Sequence, residues 1–361
     1  MKFRTEIKCP AASKQLDHHS SLVLLGSCFS EHMEDKFHYF KFDTFANPFG
    51  ILFNPIAIET AVRSCIEKVH YSKEDLLKHG EVWMSLDHHS RFDHRDQNQV
   101  LDNINNHIEL GYQTLVNASH VVITLGTSWV YKWKENNLVV GNCHKIPQKS
   151  FSKELLSSEE IVQSLRHIIG LIRSINENVS FVFTVSPVRH LKDGFIENTL
   201  SKSLLHKAIH DVRKETDADY FPAYEIMMDD LRDYRFYKND LVHPNEMAVD
   251  YIWELFKESW ISESSRKIMN EIEDIQKSLA HRAFDASSEA HMKFLKKTEQ
   301  KIGIAQTRHF KEKTDAFTKR FPKIKTLPAF LSVGGFTGPA MRFCKTHNIA
   351  TAERIQYYQS A

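Results

Sequence analysis

Apolar positions recur along this chain with two different periods, and the alternation between them outlines the fold. Short, almost continuously apolar runs rich in β-branched residues lie at 22–25 (LVLL), 120–125 (HVVITL) and 181–186 (FVFTVS). Such runs predict parallel strands covered on both faces. Gly26, Gly126 and Pro187 close them. Between the second and third, residues 158–176 carry Ile161, Leu165, Ile168, Ile169 and Ile172 on one helical stripe, with Glu159 and Glu160 at its positive end. A further helix is predicted over 200–214, a short strand in DADYFPAYE, and a helix that starts at Pro244 and runs to about Trp260. Strands separated by helices of this length predict βαβ units in an α/β fold with a mainly parallel sheet. Ligand-bearing loops then lie at the carboxyl ends of the strands.

The pattern changes after Trp260. Residues 262 to about 319 are helical in pattern, with a break and a new N-cap expected at 284–287 (FDAS). These helices form either a hairpin against the sheet domain or an arm through which two copies pair as a homo-oligomer. Beyond Pro322 the text is Gly/Pro-bearing and predicts no regular element. The expected organisation is an α/β domain over 1–260, a C-terminal helical extension over 261–320 and an irregular tail over 321–361.

Charge narrows the partners. The 361 residues include 47 basic and 46 acidic ones, a formal net charge of +1, which argues against nucleic acid or acidic lipid as a partner. The lysine-rich stretch 293–325 is interrupted by glutamate and aspartate and reads as a solvated helix face. No segment reaches the roughly 18 consecutive apolar residues of a membrane span, and the N-terminus lacks the apolar stretch of a signal peptide. A cytoplasmic protein with no membrane partner is expected. The five cysteines are dispersed with no CxxC pair, which fits neither a disulfide scaffold nor a thiolate zinc site. SLDHHSRFDHRD, 85–96, is dense in Asp87, His88, His89, Asp93, His94 and Asp96, but has no HExxH-type spacing. Neither a metal nor another cofactor is expected. Trp129, Tyr131 and Trp133 alternate, as on one packed face of a strand.

Ser27 and Cys28 stand where the first strand turns into a helix. A side chain there feels unpaired backbone N–H groups and the positive end of the helix dipole, which stabilise a thiolate and can receive an oxyanion. Cys28 has the lower intrinsic pKa and the better nucleophilicity, and Ser27 is the alternative. A nucleophile also needs an imidazole whose tautomer is fixed by a carboxylate. Asp240 and His243, three apart in KNDLVHPNEMAVDY, supply such a pair; taken alone, the spacing also suits a histidine that caps a helix. Arg189 and His190 in SPVRH follow a strand, where Arg189 can take a substrate carboxylate or phosphate, or form a salt bridge that shapes the loop. His144 in GNCHKIP can line the same cleft or make a structural hydrogen bond.

Gly26-Ser27-Cys28-Phe29-Ser30 resembles the signature of the GSCFA domain family, with serine in place of the final alanine. The likeness runs from Phe3 to about Trp260 through NPFGILFNP, LGTSWVY, NCHKIP, TVSPVRH and DLVHPN. Within the broader SGNH/GDSL-like hydrolase superfamily, it implies a three-layer α/β/α flavodoxin-like fold. It also implies ester hydrolysis or acyl transfer through a covalent acyl intermediate, on a small-molecule or glycan ester. A gapless match puts Cys28 at the position of the nucleophilic serine and Asp240 and His243 on the Asp-x-x-His block. It makes Gly50 the oxyanion glycine and puts Ser128 where the oxyanion asparagine normally stands. A catalytically inactive binding module, or an interaction protein built on the C-terminal helices, are the alternatives.

Overall fold

The computed structural model describes residues 4–281, 288, 289, 291–302, 311, 329–332, 338–347 and 349–353. These fall into two compact units, Met1–Ser262 and Glu263–Ala361.

In the first unit the apolar runs become strands of one parallel sheet. β1 (Ser21–Gly26) leads into α1 (Cys28–Tyr39), and β2 (Asp43–Ala46) is followed by α2 (Pro55–Ile66). A small antiparallel hairpin, β3 (Leu77–His79) and β4 (Val82–Met84), precedes α3 (Gln97–Asn117) and β5 (His120–Leu125). A second hairpin, β6 (Trp129–Trp133) and β7 (Phe151–Leu155), comes next, and α4 (Ser158–Ile175) returns to β8 (Ser180–Val185). The unit ends with α5 (Phe195–Glu215), β9 (Asp219–Tyr220), the single turn α6 (Ala223–Glu225) and α7 (Glu246–Trp260). The main sheet has the order β2-β1-β5-β8-β9, parallel throughout. Counting sheet strands alone, this is the doubly wound order 2-1-3-4-5, whose switch point lies between β1 and β5.

Alternation along β1 assigns the layers. Val23 and Leu25 belong to a core shared with α2 through α5, including Ile58, Ile104, Ile168 and Leu205. Leu22 and Leu24 point to the other face, where Phe37 of α1 packs edge-on against Trp253 and Phe256 of α7 at 5.0 and 5.7 Å. Helices therefore flank the sheet on both sides as three α/β/α layers.

Boundaries differ from expectation where a cap decides them. Ser157 and Glu160 form a reciprocal capping box that starts α4. The helix expected from residue 200 begins at Phe195. The helix expected at Pro244 begins two residues later, because Asn245 caps it by accepting from the Ala248 N–H.

The second unit contains α8 (Glu263–Ala280) and helical residues 291–302. The N-cap expected at 284–287 lies outside the described residues. Residues 321–361, expected to be irregular, hold a parallel pair, β10 (Ala329–Ser332) with β11 (Ala350–Glu353), and a helix, Gly338–Thr346, between them. Strands of four residues are too short for periodicity to distinguish from loop. Among the described residues no helix is long and apolar enough to cross a membrane.

Candidate active site

Gly26 ends β1 with φ +123°, and a Cβ there would lie 2.1 Å from the Thr124 carbonyl oxygen of β5. The turn that follows is held by Ser27, the N-cap of α1. Its N–H donates to the Thr124 carbonyl at 3.1 Å, and its fully buried Oγ accepts from the Phe29 N–H at 3.3 Å. Cys28, the first residue of α1, is only partly buried. Of the two candidate nucleophiles, the serine seals the turn and the cysteine is the more exposed. Burial pushes the Cys28 thiol up and Glu31 adds to this, while its own backbone N–H, Lys202 and Lys238 pull it down.

The Asp240–His243 pair is built within four residues. Asp240 Oδ1 accepts the N–H groups of Val242 and His243 at 2.9 and 3.0 Å, and Oδ2 meets His243 Nδ1 at 2.7 Å. Leu241 takes the left-handed conformation, φ +58°, that this turn requires. Those two N–H donors, then the imidazole, hold the Asp240 carboxyl down at about 2. With Nδ1–H on the carboxylate, Nε2 is the free acceptor of the ring. The loop is fastened to the carboxyl end of β8. The Arg189 guanidinium donates to the Leu241 carbonyl and lies 4.4 Å from the Tyr237 ring centroid, and the Arg189 N–H reaches the Val242 carbonyl at 3.3 Å. The charge of His243 is felt by His190 and by His32, which lies one turn along α1 from Cys28 on the same face. No hydrogen bond links the Cys28 thiol to the imidazole in this structure, both being described residues.

The donors expected for an oxyanion are committed inside the fold. The Gly50 N–H donates to the Asn47 carbonyl at 2.8 Å, so its amide closes a turn. The Ser128 hydroxyl donates to the Ser201 carbonyl at 2.8 Å and is fully buried. The NPFGILFNP segment explains the first of these. It forms a strap across the switch point, from Asn47, which donates its N–H to Leu24 and accepts the Gly26 N–H on Oδ1, to Phe53, whose carbonyl accepts from Gly126 and Thr127.

Beside the strap opens a recess of about 320 Å³ whose lining includes Asn54, Thr127, Trp129, Tyr131, Cys143 and His190. Trp129 and Tyr131, expected on a packed face, are partly buried and border this recess, with the Lys153 ammonium 4.4 Å from the Trp129 centroid. His190 is pushed down to about 3, chiefly by burial, and its Nε2 has no hydrogen-bond partner among the described residues. The ring is therefore neutral at pH 7. Arg189 has its guanidinium turned to the Leu241 carbonyl and acts on the loop. His144 makes structural bonds, with Nε2 2.8 Å from the Ser85 carbonyl and Nδ1 3.1 Å from Asp93. His88 stacks on Phe49 at 4.0 Å and is fully buried, and among the described residues no three metal-competent side chains converge.

Sequence reasoning missed Lys202. It lies on the buried stripe of α5 with Asn198, Leu205, Ile209 and Val212, so the helical period already puts a lysine on an apolar face. Its Nζ donates to the Ser186 carbonyl at 2.8 Å, and burial brings it down to about 7. Below pH 7 both folded and unfolded chains hold this proton, and the full cost of burying it stands. Between there and the unfolded value of about 10.4 the unfolded chain binds more protons, so stability rises with pH. Lys202→Met should therefore stabilise the protein by about 1–4 kcal/mol at pH 6 and by much less at pH 10, measured by urea unfolding. An equal gain at both values would show that Lys202 is not a buried base.

Fold and site together define a doubly wound α/β/α protein. It carries a cysteine at the amino end of its first helix and an Asp–His pair before the last helix of the same unit. The chain belongs to the GSCFA family, whose model matches residues 21–256. A second model, described as GSCFA domain protein, C-terminal domain, matches residues 272–323. No curated protein matches the chain.

Proposed function

We propose that this protein is a hydrolase or acyltransferase that cleaves an ester of a small molecule or glycan through an acyl-thioester on Cys28. The SGNH/GDSL-like superfamily, with its flavodoxin-like fold, is the relationship this reading adopts. The observation that carries it is the Asp240–His243 pair, held in one tautomer and fastened to the same sheet edge from which Cys28 emerges. His243 Nε2 removes the thiol proton as sulfur attacks the ester carbonyl, and the tetrahedral oxyanion forms at the amino end of α1. The C–O bond then breaks and the proton passes from His243 to the leaving alcohol. Water or an acceptor hydroxyl, deprotonated by the same imidazole, displaces the sulfur. The recess lined by Trp129, Tyr131 and His190 takes the substrate. A cytoplasmic setting suits five unpaired cysteines.

The commitment of the Gly50 N–H and the Ser128 hydroxyl favours a second reading, a binding module that keeps the cleft without turnover. Acid quenching of the protein with an activated ester, followed by intact-mass and peptide analysis, separates the two. An acyl group on Cys28, absent in Cys28→Ala, is expected. Wild-type turnover in both Cys28→Ala and His243→Ala would overturn the relay, and saturable binding without an adduct would favour the binding module.

A further inference from the structure

Three polar side chains that border the recess beside the strap have their acceptor atoms committed to backbone N–H groups. Asn54 Oδ1 accepts from Ala57 at 2.9 Å, as the N-cap of α2. Asn142 Oδ1 accepts from His144 at 2.9 Å. His89 Nδ1 accepts from Arg91 at 3.3 Å, and burial and the Arg91 charge lower the ring from its ordinary value, so it is neutral at pH 7 with its proton on Nε2. To a ligand each of the three therefore offers N–H groups alone. None of these donors has a partner among the described residues, although Asn54 is only 6% exposed. The charges along the lining point the same way. Asp193 pairs with the Lys153 ammonium, whereas Lys192, exposed beside it, has no acidic partner among the described residues. Of the other polar liners, the Thr127 hydroxyl lies 3.0 Å from both the Ser201 hydroxyl and the Trp129 N–H, and His190 is neutral.

We propose that the recess is a carboxylate site, in which a singly charged carboxylate of the ligand meets the Lys192 ammonium and the N–H groups of Asn54, His89 and Asn142. This rests on the reading of the recess as the place of the substrate, and it narrows the ester to one whose acyl or alcohol part carries a free carboxylate. An ionised carboxylate only accepts hydrogen bonds, at about four lone-pair sites, and so suits a lining that only donates. Hydrogen bonds to its charge are roughly twice as strong as those between neutral groups. A primary amide in its place would turn its own N–H groups against those of the wall and leave protein donors unpaired, which is the strongest ground for rejecting an analogue. A phosphate monoester dianion fits less well, because its second charge finds no second unpaired cation and faces Asp193. Phe53, Trp129 and Val140 supply the apolar surface on which the carbon skeleton rests.

The test is a ligand-detected NMR titration of the full-length protein with three probes of one shape class: 3-phenylpropionate, 3-phenylpropionamide and phenyl phosphate. The carboxylate should bind at least about tenfold more tightly than the amide. Lys192→Gln removes the cation. Asn142→Asp keeps the oxygen that accepts from His144 but replaces the N–H donors by a charged oxygen. Each should weaken the carboxylate by about tenfold or more and leave the amide within about threefold of wild type. Equal affinity for carboxylate and amide in wild type, no saturable binding of the carboxylate, or a carboxylate preference unchanged in both folded variants overturns the inference. So does phenyl phosphate binding more tightly than the carboxylate. If Cys28→Ala abolishes ester turnover while the recess shows no carboxylate preference, the carboxylate site fails and the enzyme reading stands. If the preference and its loss in the variants are found while Cys28→Ala keeps full turnover, the carboxylate site stands and the enzyme reading fails.

Discussion

His243→Ala should lower kcat on an activated ester by about 10⁴-fold or more, with little change in thermal stability. The large factor follows from the division of labour in the proposed relay. Cys28 is raised by burial and by Glu31, so without a base it offers little thiolate at neutral pH. The small stability change follows from exposure: the imidazole is 38% exposed at its side chain and the carboxylate 48%, so their pairing adds little to folding. Asp240→Asn should cost about 10³–10⁴-fold for a different reason. The Asn carbonyl can still accept the Val242 and His243 N–H groups, but its NH2 then faces Nδ1, forces the proton to Nε2 and removes the base. Asp240 itself should produce no acidic limb in the rate profile above about pH 2. A carboxyl depressed to about 2 keeps its bonds down to that pH and loses them only as the pH falls through it. A His243→Ala enzyme within tenfold of wild type would show that another base serves Cys28.

Gly26→Ala should prevent folding, or destabilise the first unit by at least about 4 kcal/mol, the exceptional end of single substitutions. The added Cβ would sit 2.1 Å from the Thr124 carbonyl oxygen, and φ +123° is closed to alanine. Neither partner can yield cheaply. The Thr124 carbonyl already accepts from Ser27, the Gly26 N–H donates to Asn47, and its carbonyl accepts from Leu52 at 3.0 Å. Relief would separate β1 from β5 at the switch point. A denaturant midpoint close to wild type would show that β1 and β5 do not approach so closely there.

The parallel strands were legible because each is a short apolar run closed by a helix breaker, and α4 because its stripe and its capping box agree. Ser27 and Cys28 were legible as a junction, although only coordinates show the serine accepting the Phe29 N–H. The Asp240–His243 pair could be read at all because it is local, four residues closing on themselves. Ser128 could not be read, since whether a hydroxyl is free depends on partners far along the chain: Ser201 is 73 residues from it. Gly50 is claimed locally, by the Asn47 carbonyl, in a turn that the residue types alone do not specify. Arg189 shows the same limit in reverse. Its residue type suggested a substrate anion, and a carbonyl 52 residues away claims it. Lys202 carried a signal, a lysine in register with Leu205 and Ile209, which a reading centred on histidines and carboxylates passed over.

The strap from Asn47 to Phe53 bears on how a ligand would arrive. One end is held at the carboxyl end of β1, where Asn47 donates to the Leu24 carbonyl and accepts from the Gly26 N–H, and the other just after β5, where the Phe53 carbonyl accepts from Gly126 and Thr127, so it cannot swing aside without breaking these bonds. A loop of that kind is a fixed wall and not a gate. For the ligand proposed here, this side of the cleft would be in place before encounter, and the strap would discriminate by shape already present and not by closing over the ligand.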